Sequence, residues 1–240
     1  MNTSRIAING FFGRMGQAIY NLSKEEKFNV TVGCDQKDKV NLEHEVLLTD
    51  DLSKFSESFD VVIDFSLPEP SINTVKTCEA ISKPMTIGTT GFNDHQKDYL
   101  ISASKNIPLL IAPNMSLGVN ASLKSISDLS KILANYDVSI EETHHKNKID
   151  SPSGTALKIA EVVAEARGIK PDSIDIKSNR EDGEIGVHKT IFMSKDDEII
   201  VFHNAFNRTI FATGALETSQ WIAKQGPGLY TYKDFMDSAK

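Results

Sequence analysis

Apolar positions along the chain come in short runs broken by turn residues. Residues 5–9 (RIAIN) alternate and stop at Gly10, which predicts a first strand; residues 16–22 have helical character. Residues 29–34 (NVTVGC) are β-branched and end at Asp35, a second strand. Residues 37–50 are polar without a period and read as a loop. Residues 61–65 (VVIDF) form a continuous apolar strand stopped by Ser66 and Pro68. There follow a helix over 70–81 with proline near its start, a short strand over 85–87, a polar helix over 93–104 and a buried strand over 109–112. Short apolar strands alternating with helices predict a parallel sheet covered on both faces.

Beyond Pro113 the pattern changes. Residues 117–133 read as a longer helix, and 137–143 (DVSIEET) alternate as a half-buried strand should. Residues 154–167 place Ala156, Ile159, Ala160, Val163 and Ala164 on one helical face. Strand-like runs at 174–177, 187–193 and 198–203 predict an antiparallel or mixed sheet open on one face. Helix returns over 209–224, Gly226-Pro227-Gly228 ends it, and the tail from Leu229 reads as a short extension.

The chain has 240 residues, enough for one large or two modest domains with a buried core. A net charge of -7 argues against a nucleic-acid or anionic-membrane surface. The two cysteines, Cys34 and Cys78, have neither metal-type nor framework spacing and read as reduced core thiols of a cytoplasmic protein. No stretch approaches the roughly 20 apolar residues of a membrane span.

Two segments carry chemistry. Gly10-Phe11-Phe12-Gly13-Arg14-Met15-Gly16 lies between the first strand and the first helix. There glycines let the backbone approach a pyrophosphate, and the helix terminus supplies N–H donors. Asp35 ends the second strand, roughly 20 residues on, as a ribose-binding acid would. Phe12 occupies the usual second-glycine position. By charge Asp35 favours a free 2′-hydroxyl, and Lys37, Lys39 and Arg14 offset repulsion of a 2′-phosphate if near; the expectation is NADH, with NADPH also used. The expected fold class is α/β: an N-terminal Rossmann-like dinucleotide-binding domain over 1–115, joined by the C-terminal helix and tail (209–240), plus a smaller α+β domain with a mixed sheet over 116–208. Gly88-Thr89-Thr90-Gly91 and Ala112-Pro113-Asn114-Met115-Ser116 also follow strands, where open sheets bind ligands; taken singly, each reads as turn chemistry.

The second segment is residues 142–156 (ETHHKNKIDSPSGTA). His144 and Lys148 run from a strand into a loop and suit proton transfer, since adjacent cations ease proton release. Neighbours on a strand face opposite sides, so His144 and His145 do different work unless the strand has ended. No third ligand lies at a recognisable spacing, so no metal is expected. Ser153-Gly154-Thr155 opens a helix whose terminus attracts anions, Gly154 allowing close approach and Thr155 offering a hydroxyl. A plain Ser N-cap beside surface histidines is the alternative.

This segment resembles, almost letter for letter, the signature E-x-H-H-x-x-K-x-D-x-P-S-G-T-A of the dihydrodipicolinate reductase family of bacterial lysine and diaminopimelate synthesis. Supporting matches are the Gly-Arg-Met-Gly ending of the first loop, Asp64-Phe65-Ser66, Gly88-Thr89-Thr90-Gly91, Asn114-Met115-Ser116-Leu117-Gly118-Val119-Asn120 and Gly228-Leu229-Tyr230. The resemblance covers essentially the whole chain. It implies an NAD(P)H-dependent reduction of 4-hydroxy-tetrahydrodipicolinate to tetrahydrodipicolinate with loss of water. It also implies a small dicarboxylate substrate bound between the domains and a homotetramer formed through sheets of the second, substrate-binding domain. By the same resemblance Gly10, Phe11, Phe12, Gly13, Arg14 and Met15 hold pyrophosphate and Asp35 the adenosine ribose. Gly88, Thr89 and Thr90, with Ala112, Pro113, Asn114 and Met115, hold the nicotinamide half. His144 transfers protons, Lys148 is the proton donor, His145 contacts substrate, and Gly154 with Thr155 takes a carboxylate. Phe11 and Phe12, Gln36 after Asp35, and Asp182-Gly183 for the usual Gly-Asp depart from the family pattern. The rivals are another two-domain nicotinamide dehydrogenase of a small carboxylate and a non-catalytic dinucleotide sensor.

Overall fold

The computed structural model describes residues 3–26, 28–40 and 43–238. The chain divides into two compact units, Met1–Met115 with Phe211–Lys240, and Ser116–Ile210.

In unit one, β1 (Arg5–Asn9), α1 (Arg14–Glu25), β2 (Asn29–Cys34) and β3 (Leu47–Thr49) precede a 3-10 stretch, Leu52–Ser58. Then come β4 (Val61–Asp64), α2 (Pro68–Ala80), β5 (Met85–Ile87), α3 (Asp94–Ala103) and β6 (Pro108–Ile111). Proline opens α2, where its missing N–H costs nothing, and Asn93 with Gln96 closes a capping box on α3. The strands form a parallel sheet in the order β11-β6-β5-β4-β1-β2-β3, where β11 (Gly228–Tyr230) returns from the end of the chain. Strand order reverses between β1 and β4, the switch point at which open sheets bind ligands. One apolar layer, with Ile6, Ile8, Ile63 and Leu216, lies on one face of the sheet; a second, with Val32, Val62, Val75 and Leu109, lies on the other.

Unit two opens with α4 (Leu117–Ile132), β7 (Asp137–His144) and α5 (Gly154–Arg167), then β8 (Asp175–Arg180), β9 (Val187–Met193) and β10 (Glu198–Asn204). The sheet order is β10-β9-β7-β8; β7 and β8 are parallel and the other pairs antiparallel, so the sheet is mixed. Ser116 and Ser153 cap α4 and α5, and Gly168, at φ 67°, ends α5 in the left-handed conformation that glycine accepts. Ile126, Ile140, Ile159, Val163 and Phe192 form the core between helices and sheet. On the opposite sheet face Met193, Ile200 and Phe202 are exposed.

Two expectations are corrected. The polar loop over 37–50 contains β3, paired with β2; residues 41 and 42 of that stretch lie outside the described residues. The tail is no simple extension, since β11 adds to β6 and is followed by α7 (Tyr232–Ser238). These two short edge strands, unlike the fully buried β5, carry no continuous buried run to read; what makes them strands is pairing with a neighbour's backbone.

The long helix over 209–224 is α6 (Thr209–Ile222), and Gly214 within it sits directly on the backbone of Met115: an added Cβ would lie 1.7 Å from the Met115 carbonyl oxygen. Backbone cannot yield as a flexible side chain can. Gly214→Ala should therefore lose about 4 kcal/mol or more in denaturant unfolding. Gly226→Ala, with open space around the added carbon, should stay within about 0.5 kcal/mol of the parent. Equal midpoints for the two variants would contradict this packing.

Candidate active site

The first loop is shaped by close backbone contacts. Gly10 has φ 78°, and a Cβ there would meet the Phe65 carbonyl oxygen at 2.5 Å. Gly16 lies so near the loop that its Cβ would be 2.3 Å from the Gly10 oxygen. The N–H groups of Gly10 and Phe11 both donate to the Cys34 carbonyl, at 3.0 and 3.1 Å, tying the loop to the end of β2. Gly13 precedes α1 with no side-chain cap, so the first-turn amides are left for an anion.

Phe11 is not a cleft residue. Its ring is fully buried, stacks edge-on with Phe12, and lies beneath Gly33, where a Cβ would come within 2.7 Å. Its side chain gives the loop its shape. Phe12 needs no glycine, because among the described residues only Ser82 is a non-glycine with positive φ. Its N–H donates to Asp35 Oδ2 at 2.8 Å. Asp35 Oδ1 accepts from the Gln36 N–H at 2.8 Å and from Lys39 Nζ at 3.2 Å. Arg14 is exposed and Met15 half-buried at the start of α1. Gly10, Gly13, Asp35, Lys39, Phe65 and Ser66 help to line a cleft of about 500 Å³, the size of an ordinary cofactor pocket.

Asp64 organises this end of the sheet. It is fully buried and accepts hydrogen bonds from Asn9 Nδ2 (2.7 Å), Ser66 Oγ (2.6 Å) and Thr89 Oγ1 (2.6 Å). Burial pushes its carboxyl above the usual range, opposed by those hydroxyl and amide donors. The network joins the ends of β1 and β4 to the turn after β5. Gly88 is demanded by the Phe65 ring, which a Cβ would strike at 2.2 Å. The Thr89 hydroxyl is occupied by Asp64 and by the Ser66 N–H, leaving Thr90 exposed. Ala112 and Met115 are buried, Pro113 is exposed and Asn114 half-buried. None of residues 88–90 or 112–115 lines the cleft.

In unit two, the alternation of β7 sets Glu142 and His144 on the face toward the helices. Glu142 is fully buried. Its Oε2 pairs with His144 Nδ1, and its Oε1 accepts from Arg180 Nη1 at 3.0 Å and from the Ser153 N–H at 3.3 Å. Burial alone would raise the Glu142 carboxyl; the Ser178 side chain, then His144 and Arg180, outweigh it and hold the group below the usual range. Burial lowers His144 below the ordinary imidazole value, Glu142 opposes, and the charge of Lys148 pushes down further. With Nδ1–H donated to a carboxylate, neutral His144 presents a basic Nε2. Gly186 leaves that atom uncovered, since a Cβ there would stand 3.0 Å from it.

Beyond β7 the chain turns, with the Lys148 N–H donating to the His145 carbonyl at 3.0 Å. Lys148 Nζ is paired with Asp150 at 2.8 Å, and that ammonium holds the Asp150 carboxyl low. His145 Nε2 lies 3.2 Å from Arg208 Nη2, a pairing of residues 63 apart in sequence. Ser153 Oγ caps α5 by accepting from the Ala156 N–H at 3.1 Å. No atom lies within 4 Å of where a Gly154 Cβ would be, so that terminus is open to a ligand. Sequence reasoning gave no role to Glu142, Arg180, His188 or Arg208. Only Glu142 carried a readable signal, two residues before His144 on an alternating strand.

Residues 4–115 match the family model described as dihydrodipicolinate reductase, N-terminus, and residues 118–236 match that of its C-terminus. A 4-hydroxy-tetrahydrodipicolinate reductase of Buchnera aphidicola subsp. Cinara cedri (strain Cc) is 35% identical, covering 100% of this chain and 99% of its own. Its counterpart in Campylobacter concisus (strain 13826) is 36% identical over 96% and 97%. The solved dipicolinate-bound dihydrodipicolinate reductase from Paenisporosarcina sp. TG-14 superposes with a TM-score of 0.84 at 27% identity, over 96% of this chain and 98% of that one. The amine dehydrogenase from Mycobacterium smegmatis, with a TM-score of 0.68 at 8% identity over 96% and 95%, shares the fold.

Asp64→Ala removes the buried acceptor that three donors in the sheet end share. It should cost about 3 kcal/mol in denaturant unfolding. It should also raise the NADH dissociation constant about tenfold through the displaced loop. Unchanged affinity and stability would show that Asp64 does not organise the cleft.

Proposed function

The chain belongs to the dihydrodipicolinate reductase family, and on that premise we propose which of its residues carry the reaction. The reaction is the NAD(P)H-dependent reduction of 4-hydroxy-tetrahydrodipicolinate to tetrahydrodipicolinate with loss of water, in the diaminopimelate route to L-lysine. One observation carries the assignment of residues. A single buried carboxylate, Glu142, holds both the His144 imidazole and the Ser153 turn at the head of α5.

Reduced nicotinamide, when bound, supplies the hydride. The residues of unit one fit that group: the uncapped α1 terminus and the Gly10 to Met15 backbone suit pyrophosphate, and Asp35, pinned by the Phe12 N–H, suits the adenosine ribose. Residues Gly88 to Thr90 and Ala112 to Met115 take the nicotinamide half, largely by backbone. Lys39 is paired with Asp35 and within reach of a 2′-phosphate, which supports NADH as the favoured cofactor with NADPH accepted.

In unit two, one substrate carboxylate takes the open terminus at Gly154 and Thr155, and His145 with Arg208 offers a cationic edge for the second. Neutral His144 Nε2 removes a ring proton as Lys148 Nζ protonates the departing hydroxyl, releasing water. After hydride reaches the ring, His144 returns its proton to carbon, and Lys148 is reprotonated from solvent. One NAD(P)H and one proton are consumed, and one water is released.

The domain roles follow: 1–115 with 209–240 binds dinucleotide, and 116–208 binds substrate and assembles. The exposed Met193, Ile200 and Phe202 on the open sheet face support a homotetramer through that sheet. Two buried free thiols suit a cytoplasmic location, and no described helix is long and apolar enough to cross a membrane.

The double variant His144→Ala/Lys148→Ala should lose turnover by about 10⁴-fold while binding NADH as the parent does. Undiminished turnover would refute the proton route, and a sensor would show no turnover to lose. The pH profile gives a second check. The neutral imidazole is the working form, and burial sets its pKa below 6.5. As pH falls, kcat/KM should stay level through neutrality and drop only below that value. Glu142→Gln removes the contribution opposing burial, so its acid limb should lie lower still, with kcat reduced about 10²-fold. An acid limb above 6.5 in the parent would contradict the assignment.

A further inference from the structure

Behind His144 lies a buried side chain that the proton route does not use. His188 is 6% exposed, on β9 opposite Glu142 in the strand register. Its ring meets that of His144 edge-on, with centroids 5.1 Å apart and planes at 75°. Its Nε2 lies 3.1 Å from Ser153 Oγ.

Ser153 Oγ accepts from the Ala156 N–H and shares a second hydrogen bond with His188 Nε2. The other ring nitrogen, Nδ1, is buried with no protein partner among the described residues, and the ring helps to line a small hole with Thr155, Thr190 and His203. Burial takes the ring down to about 4, so it is neutral near neutral pH.

We propose that His188 is a positioning residue for the reduction: it holds the carboxylate-binding turn at Ser153 and the edge of the His144 imidazole in one fixed arrangement. Glu142 ties the same two elements through the Ser153 N–H and His144 Nδ1. His188 ties them a second time, through the hydroxyl and the ring face. Two independent ties remove the freedom to swing that one would leave, and a misplaced base loses rate steeply. This inference rests on the roles given above to His144, Gly154 and Thr155.

Three substitutions separate positioning from packing. Leucine fills the space without a hydrogen-bonding group. Glutamine sets an amide near the place of Nε2 and can bond to the Ser153 hydroxyl. Asparagine sets its amide near Nδ1 and leaves Ser153 without that partner. The measurements are kcat and KM for the hydroxy-substrate, the dissociation constant of dipicolinate on NADH-loaded enzyme, the NADH dissociation constant, and the thermal midpoint.

His188→Leu and His188→Asn should raise KM and the dipicolinate constant about tenfold and lower kcat, with NADH binding unchanged. His188→Gln should recover dipicolinate binding to within about threefold of the parent. If the leucine variant does not fold, the glutamine and asparagine variants make the same comparison. An active parent whose variants keep its KM and dipicolinate affinity, or whose losses simply follow the thermal midpoint in all variants alike, overturns the positioning role alone. A parent that does not turn over the substrate overturns the underlying residue roles and this inference together.

Discussion

The arrangement of strand end and helix head in unit two depends on the burial of one carboxylate, Glu142. An ionised Glu142 with no exposed surface is tolerable only where donors surround it. The donors come from three places: His144 at the end of the same strand, Arg180 at the end of the next, and the Ser153 N–H at the head of α5. Satisfying the charge therefore gathers a strand end and a helix start at one point. That gathering sets the His144 imidazole beside the head of α5. Removing one partner of such a pair costs about 3–5 kcal/mol, because the other charge remains buried. The same interaction thus fixes both the local fold and the site.

Unit one has a counterpart with a different character. Asp64 is equally buried, but its donors are an amide and two hydroxyls rather than cations. Burial accordingly keeps its carboxyl above the usual range, whereas Glu142, beside His144 and Arg180, is held below it. Neutral donors make Asp64 a tie between strand ends and loops. The Arg180 guanidinium makes Glu142 a charge partner, and the same carboxylate fixes the His144 imidazole. Asp64 is the last residue of β4, and Glu142 lies two residues before the end of β7.

Much of this was legible in the sequence for identifiable reasons. Buried parallel strands are apolar runs, so β1, β2, β4, β5 and β6 declared themselves; β3 and β11 are defined by backbone pairing and did not. Phe11 looked anomalous in a glycine loop because its partner Gly33, which admits its ring, is distant in sequence. The tight turn and the close helix packing of the loop are made at Gly10 and Gly16. The 142–156 segment announced its chemistry, and the alternation of β7 placed Glu142 beside His144. Arg180 and His188 join that site only through the pairing of β7 with β8 and β9, and Arg208 only through a contact 63 residues away. Register and long-range contact leave no local mark on composition or period.

The central claim is that this chain reduces the hydroxy-dicarboxylate formed when aspartate semialdehyde condenses with pyruvate. The direct measurement mixes the protein with that freshly formed condensate and follows the oxidation of NADH and, separately, of NADPH. Protein-dependent oxidation with both, and at least as fast with NADH, is the expected result. No oxidation with either cofactor would contradict the account.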